Sequence, residues 1–286
     1  MERPGPEHDL AAVTELALTL ELGPIWPEIL KLAHHKSVRL SPLPIVARVQ
    51  SSAPCEAAAG TMERELALAR RLVGVGAPVV APIQDPPPGP YVLGDCAVSL
   101  WSYVEHRLPR GEADAMGAAA ALRMVHAALL EVGGDLPPFT DNVGRCGALL
   151  ADLAALPTLS LTDRAFLRAH YERFRDQLAG LSFKSVPLHG DTHIGNVLFA
   201  AGGPIWADLE TACLGPLEWD LVQLAPRTRA LFGGVDPTLI DLLADLRSVT
   251  VAVWCCADGS RSAEMRAAAE HHLHRLRRRA SINRPR

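Results

Sequence analysis

HGDTHIGNVLF, residues 189–199, decides how this chain is read. It sets His189, Gly190 and Asp191 ahead of Asn196, five places after the aspartate, and then runs into the β-formers Val197, Leu198 and Phe199. Taken alone, an aspartate and an asparagine at that spacing describe a polar turn with an Asx cap between two core segments. The adjoining residues argue for more. NVLFA, the turn AGGP and IWAD read as strand, turn, strand, and such a hairpin carries Asp208, twelve residues on, back beside Asn196.

An amide oxygen and a carboxylate facing one point are two hard donors of the kind magnesium takes, its other ligands being waters and substrate phosphates. Phosphoryl transfer needs little covalent help and much positioning: a carboxylate to orient the attacking hydroxyl, and oxygen donors for the metal held against the phosphates. Asp191, Asn196 and Asp208 supply that set, and D-x-x-x-x-N is the spacing of the protein-kinase catalytic loop, with a glycine here in place of the arginine of H-R-D.

Around this stretch the chain changes character. Residues 10–22 carry apolar positions at helical spacing and are stopped by Gly23-Pro24. SVRL and PIVARVQ read as adjacent strands; residues 56–73 form a helix closed by Gly74 and Gly76; PVVAPI, YVLGD and AVSLWSYV add short strands. From there residues 112–132, 145–155, 162–181, 217–232, 238–257 and 261–279 read as helices, with starts marked by Thr162-Asp163 and Asp236-Pro237. The expected class is α+β: an N-terminal antiparallel-sheet lobe over residues 1–100 and a mainly helical C-terminal lobe over 101–286 that holds one hairpin.

HGDTHIGNVLF, IWADLE and GPLEWDL together resemble the catalytic motif and metal-binding hairpin of the aminoglycoside phosphotransferase and choline kinase superfamily. The likeness is densest over residues 186–224 and extends more loosely, through SLWSYVEH and ALRMVHAAL, over nearly the whole chain. It implies a protein-kinase-like bilobal fold and transfer of the γ-phosphate of ATP or GTP, with Mg2+, to a hydroxyl of a small molecule. On it, Asp191 is the catalytic base or hydroxyl-orienting carboxylate, and Asn196 and Asp208 hold the metal. Arg48, on a strand, grips the nucleotide phosphates, and Glu65, on the following helix, pairs with it as part of the nucleotide site. His189 is structural, Asp220 braces the loop, and Glu210 stands next to the metal ligands. Two features depart from the pattern. Arginine replaces the usual lysine at 48, and its fork differs in reach from a point charge. HHKSVRLSP has no glycine where a phosphate-cradling turn is expected, and its Lys36 reads as an exposed surface lysine, as do His34 and His35 as surface histidines.

Composition agrees with a globular protein: hydrophobic residues make up 49% and charged residues 21%, outside the range of disordered chains. A net charge of −4 supplies no field to recruit nucleic acid, and the basic run HHLHRLRRRASINRPR reads as a solvated helix end. Neither nucleic acid nor membrane is expected as a partner, and no signal pattern opens the chain, so a cytoplasmic setting is expected. The six cysteines show no paired Cys/His spacing of a structural zinc and read as buried free thiols. His193 is open between substrate contact and loop packing, and Glu218, Asp241 and Asp245 are candidates for attracting a cationic amine such as an aminoglycoside, amino sugar or choline-like acceptor. The rival reading is a catalytically silent nucleotide-binding protein of the same fold, which Arg48 and the glycine-free loop favour.

Overall fold

The computed structural model describes residues 6–32, 36–51, 55–257 and 263–282; His34 and His35 lie outside them. In chain order the elements are α1 (Pro6–Thr19), β1 (Trp26–Leu32), β2 (Lys36–Ser41), β3 (Ile45–Gln50), α2 (Cys55–Gly74), β4 (Tyr91–Leu93), β5 (Cys96–Ser102), α3 (Gly111–Val132), α4 (Phe139–Ala151), α5 (Leu161–Ala179), β6 (Val186–Leu188), β7 (Val197–Ala200), β8 (Gly203–Trp206), β9 (Cys213–Gly215), α6 (Glu218–Leu221), α7 (Pro237–Ala257) and α8 (Ala263–Ile282). The α+β expectation holds. By compactness the chain divides into a unit of Met1–Gly134 with His193–Glu210 and a unit of Asp135–Thr192 with Thr211–Arg286. This is not the single cut at residue 100: α3 and the β7–β8 hairpin belong to the first unit, because Trp206 buries its ring there and donates its indole N–H to Ala118 O at 3.0 Å.

In the first unit β1 to β5 form an antiparallel sheet in the order β1-β2-β3-β5-β4. Strand alternation sorts its two faces. Val38, Leu40, Ala47, Val49, Val98 and Leu100 pack with Ala12, Val13 and Leu16 of α1, while Ala97 packs with Ala58 and Met62 of α2. Arg48, between Ala47 and Val49, is thereby turned to the α2 face. The pattern of the sequence hides β1, whose WPEILKL mixes Pro27, Glu28 and Lys31 with apolar residues; as an edge strand with an irregularity between Ile29 and Lys31 it tolerates a proline that a central strand would not. PVVAPI makes isolated bridges, Val79 to Trp206 and Pro82 to Trp101, rather than a strand. By length and composition α3 is apolar enough to cross a bilayer, yet it buries Ala118, Leu122, Val125 and Leu129 as a core helix does.

Lys36 corrects the expectation of an exposed lysine. It is buried and ion-paired with Asp9, itself buried. A lysine at this depth is stable only with such a partner.

The second unit is helical. Side chains of α4, α5, α7 and α8, among them Leu150, Leu167, Leu243, Val249 and Leu276, form one core with Leu188 of β6 and Cys213 of β9. The short antiparallel pair β6–β9 matches Leu188 with Cys213, and it is invisible in the sequence because three-residue strands carry no period. The expected helix 217–232 is instead α6 and a separate 3-10 turn at Pro226–Leu231, where Pro226 interrupts the helix. Ser160 caps α5 by accepting from the Asp163 N–H at 3.0 Å, and Asp236 caps α7 by accepting from the Thr238 N–H at 2.8 Å. Three arginines of the basic run of α8 are ion-paired within the unit: Arg275 and Arg279 meet Asp245, Arg279 meets Asp241, and Arg277 meets Asp163.

Candidate active site

In the first unit, four of the sequence-predicted residues line one cavity of about 280 Å3: Arg48, Glu65, Asn196 and Asp208. Each arrives for a local reason. Arg48 faces α2 by strand alternation, and Glu65, one turn after Met62, lies on the buried face of α2. Asn196 ends a 3-10 turn at Ile194–Asn196 that His193 caps by accepting from the Gly195 N–H at 3.1 Å, so His193 has a structural task in the loop. The β7–β8 hairpin pairs Val197 with Trp206, and Ala207 N–H donates to Asn196 O at 2.8 Å, which returns the chain so that Asp208 follows directly.

Arg48 holds the cluster together. One terminal nitrogen donates to Glu65 Oε1 at 2.5 Å and the other to Asp208 Oδ1 at 2.9 Å, and the guanidinium lies 5.7 Å from the centre of the Trp101 ring. Burial alone would lower its pKa, but Glu65, Asp208 and Glu210 outweigh burial and hold it above the ordinary arginine value. Glu65 Oε1 also accepts from the Leu209 N–H at 2.9 Å. That contact matters because Asp208 has φ +71°, a left-handed conformation costing a non-glycine residue about 1–3 kcal/mol unless neighbours impose it. Glu65 fixes the peptide after Asp208, and Arg48 fixes its carboxylate.

In the second unit, the loop 189–192 is built on Asp220 of α6. The buried carboxylate accepts from the His189 N–H at 2.9 Å and the Gly190 N–H at 2.8 Å, and the Thr192 hydroxyl donates to the Asp220 carbonyl. Gly190, at φ +89°, is required twice over: it takes a left-handed turn, and a Cβ there would stand 2.0 Å from Thr211 O. His189 is buried, and its Nδ1 accepts from the Asp191 N–H at 3.3 Å. Asp191 keeps a side chain 29% exposed, accepts from Gln223 Nε2 at 3.2 Å and lies 3.9 Å from Arg247 Nη1.

Arg247 is a site residue that the motifs did not single out. It is the one basic residue of α7, stacks 4.0 Å from the Trp219 ring and donates to Gly190 O at 2.6 Å. Burial pulls its pKa below the ordinary value, opposed by Asp191, Asp220 and Cys213. That it is the lone basic residue of a mostly apolar helix is the only hint the sequence gives, and it does not point to Asp191. The expected acidic attractors are occupied elsewhere. Glu218 accepts from the Asp236 N–H at 2.9 Å, Asp245 is buried with Arg275 and Arg279, and Asp241 meets Arg279.

The family model of the phosphotransferase enzyme family matches residues 35–250. The chain belongs to that family. Solved structures share the phosphotransferase fold at low identity. The choline kinase from Streptococcus pneumoniae aligns with a TM-score of 0.66 at 14% identity, over 94% of this chain and 99% of that one. An amicoumacin kinase in complex with AMP-PNP and Ca2+ gives 0.66 at 13% identity, over 95% and 96%. The GDP and kanamycin complex of APH(2")-IIia gives 0.64 at 15% identity, over 96% and 100%. No curated protein sequence matches the chain at a significant level. The protein-kinase-like fold expected from HGDTHIGNVLF is therefore the fold of the chain.

The donor set of this phosphotransferase-family chain fits a hard divalent cation. A carboxylate and an amide oxygen line one cavity, with the Asp208 side chain 27% exposed and so reachable by an ion that keeps part of its water shell. The cavity walls add Val46, Val80, Trp101 and Leu198, apolar surface suited to a flat ring.

Proposed function

We propose that the protein is a small-molecule kinase that transfers the γ-phosphate of ATP or GTP to a hydroxyl group. The observation that carries this reading is the convergence of Arg48, Glu65, Asn196 and Asp208 on one cavity in a chain of the phosphotransferase enzyme family. Asn196 and Asp208 hold Mg2+, which when bound neutralises charge on the nucleotide phosphates. Glu65 sets the geometry of Arg48 and of the backbone after Asp208. Asp191, held by a loop whose N–H groups are taken by Asp220, orients the acceptor hydroxyl and accepts its proton. Arg247 and Gln223 keep that carboxylate aimed.

Aminoglycosides, amino sugars and choline-like alcohols are the acceptor classes we propose. They rest on family likeness, since the acidic side chains that would have favoured a cationic amine are engaged in ion pairs or caps.

One observation favours the rival reading of a silent nucleotide-binding protein: both terminal nitrogens of Arg48 are taken by carboxylates. Turnover separates the two. Purified protein with magnesium and ATP or GTP, tested against a panel of those acceptors beside Asp191→Ala, is expected to release nucleoside diphosphate only when an acceptor is present, and the variant is expected to be inactive. Nucleotide binding with no turnover across the panel would favour the silent protein, and absence of nucleotide binding would remove the kinase reading.

A further inference from the structure

The sequence spacing of the cysteines shows no linear zinc motif, but the fold of the first unit brings His8 to the adjacent Asp95 and Cys96. His8, on α1, places Nε2 2.6 Å from Asp95 Oδ1, 87 residues away, in the turn between β4 and β5. Cys96, the first residue of β5, points its Sγ at the same carboxylate oxygen, 3.7 Å away. One ligand atom from each of the three lies within 4.8 Å of the others. Donors around a tetrahedral zinc with bonds of about 2.0–2.3 Å stand roughly 3–4 Å apart, so this triangle closes on an ion with small side-chain adjustments.

We propose that His8, Asp95 and Cys96 form a binding site for a zinc-like divalent cation, separate from the Asn196 and Asp208 pair. The donor chemistry sorts the two. Imidazole, thiolate and one carboxylate suit a borderline-soft ion such as Zn2+, whereas an amide oxygen and a carboxylate suit Mg2+. An ordinary ion pair involves His8 and Asp95 alone, whereas here the sulfur of the buried Cys96 stands at the same oxygen as the imidazole.

Burial, then Asp95 and Cys55, push the Cys96 thiol up to about 11, with Lys36 opposing. The His8 hydrogen bond holds Asp95 below the usual carboxylate range. Zinc takes a cysteine as its thiolate, so binding displaces the Cys96 proton. A bound ion ties the N-terminal helix to the edge hairpin of the sheet.

The test uses the full chain, reduced, with excess Mg2+ present to occupy hard oxygen donors. Zn2+ affinity is measured by competition with a chromophoric chelator, and Co2+ is titrated as a spectroscopic probe. We expect one equivalent of Zn2+, a thiolate-to-cobalt charge-transfer band that Cys96→Ala abolishes, and at least tenfold weaker Zn2+ binding in Asp95→Asn and in His8→Ala. His8 is exposed, so its variant folds even if the Cys96 variant does not, and its nucleotide binding is expected to be unchanged. Absence of the cobalt band in the wild type, its persistence in Cys96→Ala, or Zn2+ affinity unmoved by His8→Ala would each overturn the site.

Discussion

The Arg48 cluster and the loop at Asp191 are both built around carboxylates, but they are built differently. In the first unit, charged side chains hold one another: Glu65 and Asp208 share one guanidinium. In the second, a buried carboxylate holds backbone: Asp220 takes the N–H groups of His189 and Gly190 and so fixes the loop that carries Asp191. Side-chain ion pairs can exchange partners when another cation arrives, whereas backbone N–H groups in a buried turn have no substitute acceptor. The first arrangement suits binding and release of a charged ligand; the second suits holding one carboxylate in one place.

Four measurements can break or sharpen that contrast. The largest effect is expected at Asp191: Asp191→Asn should lower kcat by about 10²–10⁴-fold with nucleotide binding intact, whereas Asp208→Asn should weaken magnesium-dependent nucleotide binding itself. Comparable effects of both variants on binding would erase the division of labour. Next, Arg48→Met strands Glu65 in a buried position, and loss of one member of a buried pair costs about 3–5 kcal/mol in denaturant unfolding. If that cluster exchanges cations, added magnesium should recover part of the loss.

Third, Asp220→Asn keeps one acceptor oxygen and turns an amide N–H toward a backbone N–H. The loss should be about 1.5–3 kcal/mol, the worth of one charge-assisted hydrogen bond, and magnesium should recover none of it. Recovery there would show that the two carboxylates do the same kind of work.

The smallest effect concerns pH. Burial, with His271, Arg275 and Arg247 nearby, brings the His272 pKa down to about 4, below its ordinary value near 6.5. Between those values the unfolded chain binds a proton that the folded chain refuses, so stability falls as pH drops from about 6.5 to about 4 and changes no further below that from this group. Thermal unfolding across that window should show the slope, and His272→Gln should flatten it. A slope that survives the substitution would move the acid sensitivity to other groups.

How much of the molecule is legible in its sequence depends on how far each signal reaches. Asp191, Asn196 and Asp208 can be read because a loop and a hairpin place them through short-range rules, whereas Arg48 and Glu65 are singled out by the family resemblance alone, and strand and helix periods explain afterwards why they face one another. Edge strand β1 is hidden by its proline and charges, and β6 and β9 by being three residues long. Arg247, Gln223 and the Lys36–Asp9 pair depend on packing between distant segments, which no local pattern encodes. Lys36 is the sharpest case. Sequence statistics put lysines in water, and only the arrival of Asp9 on α1 reverses that.

The left-handed backbone at Asp208 sets two selective pressures against each other. A position at φ +71° is served best by glycine, which takes that conformation freely, so a library sorted for folding alone should drift there toward glycine or asparagine. A library sorted for phosphate transfer should return aspartate and little else. The gap between those two profiles would measure, at one codon, what this chain gives up in stability to keep its chemistry.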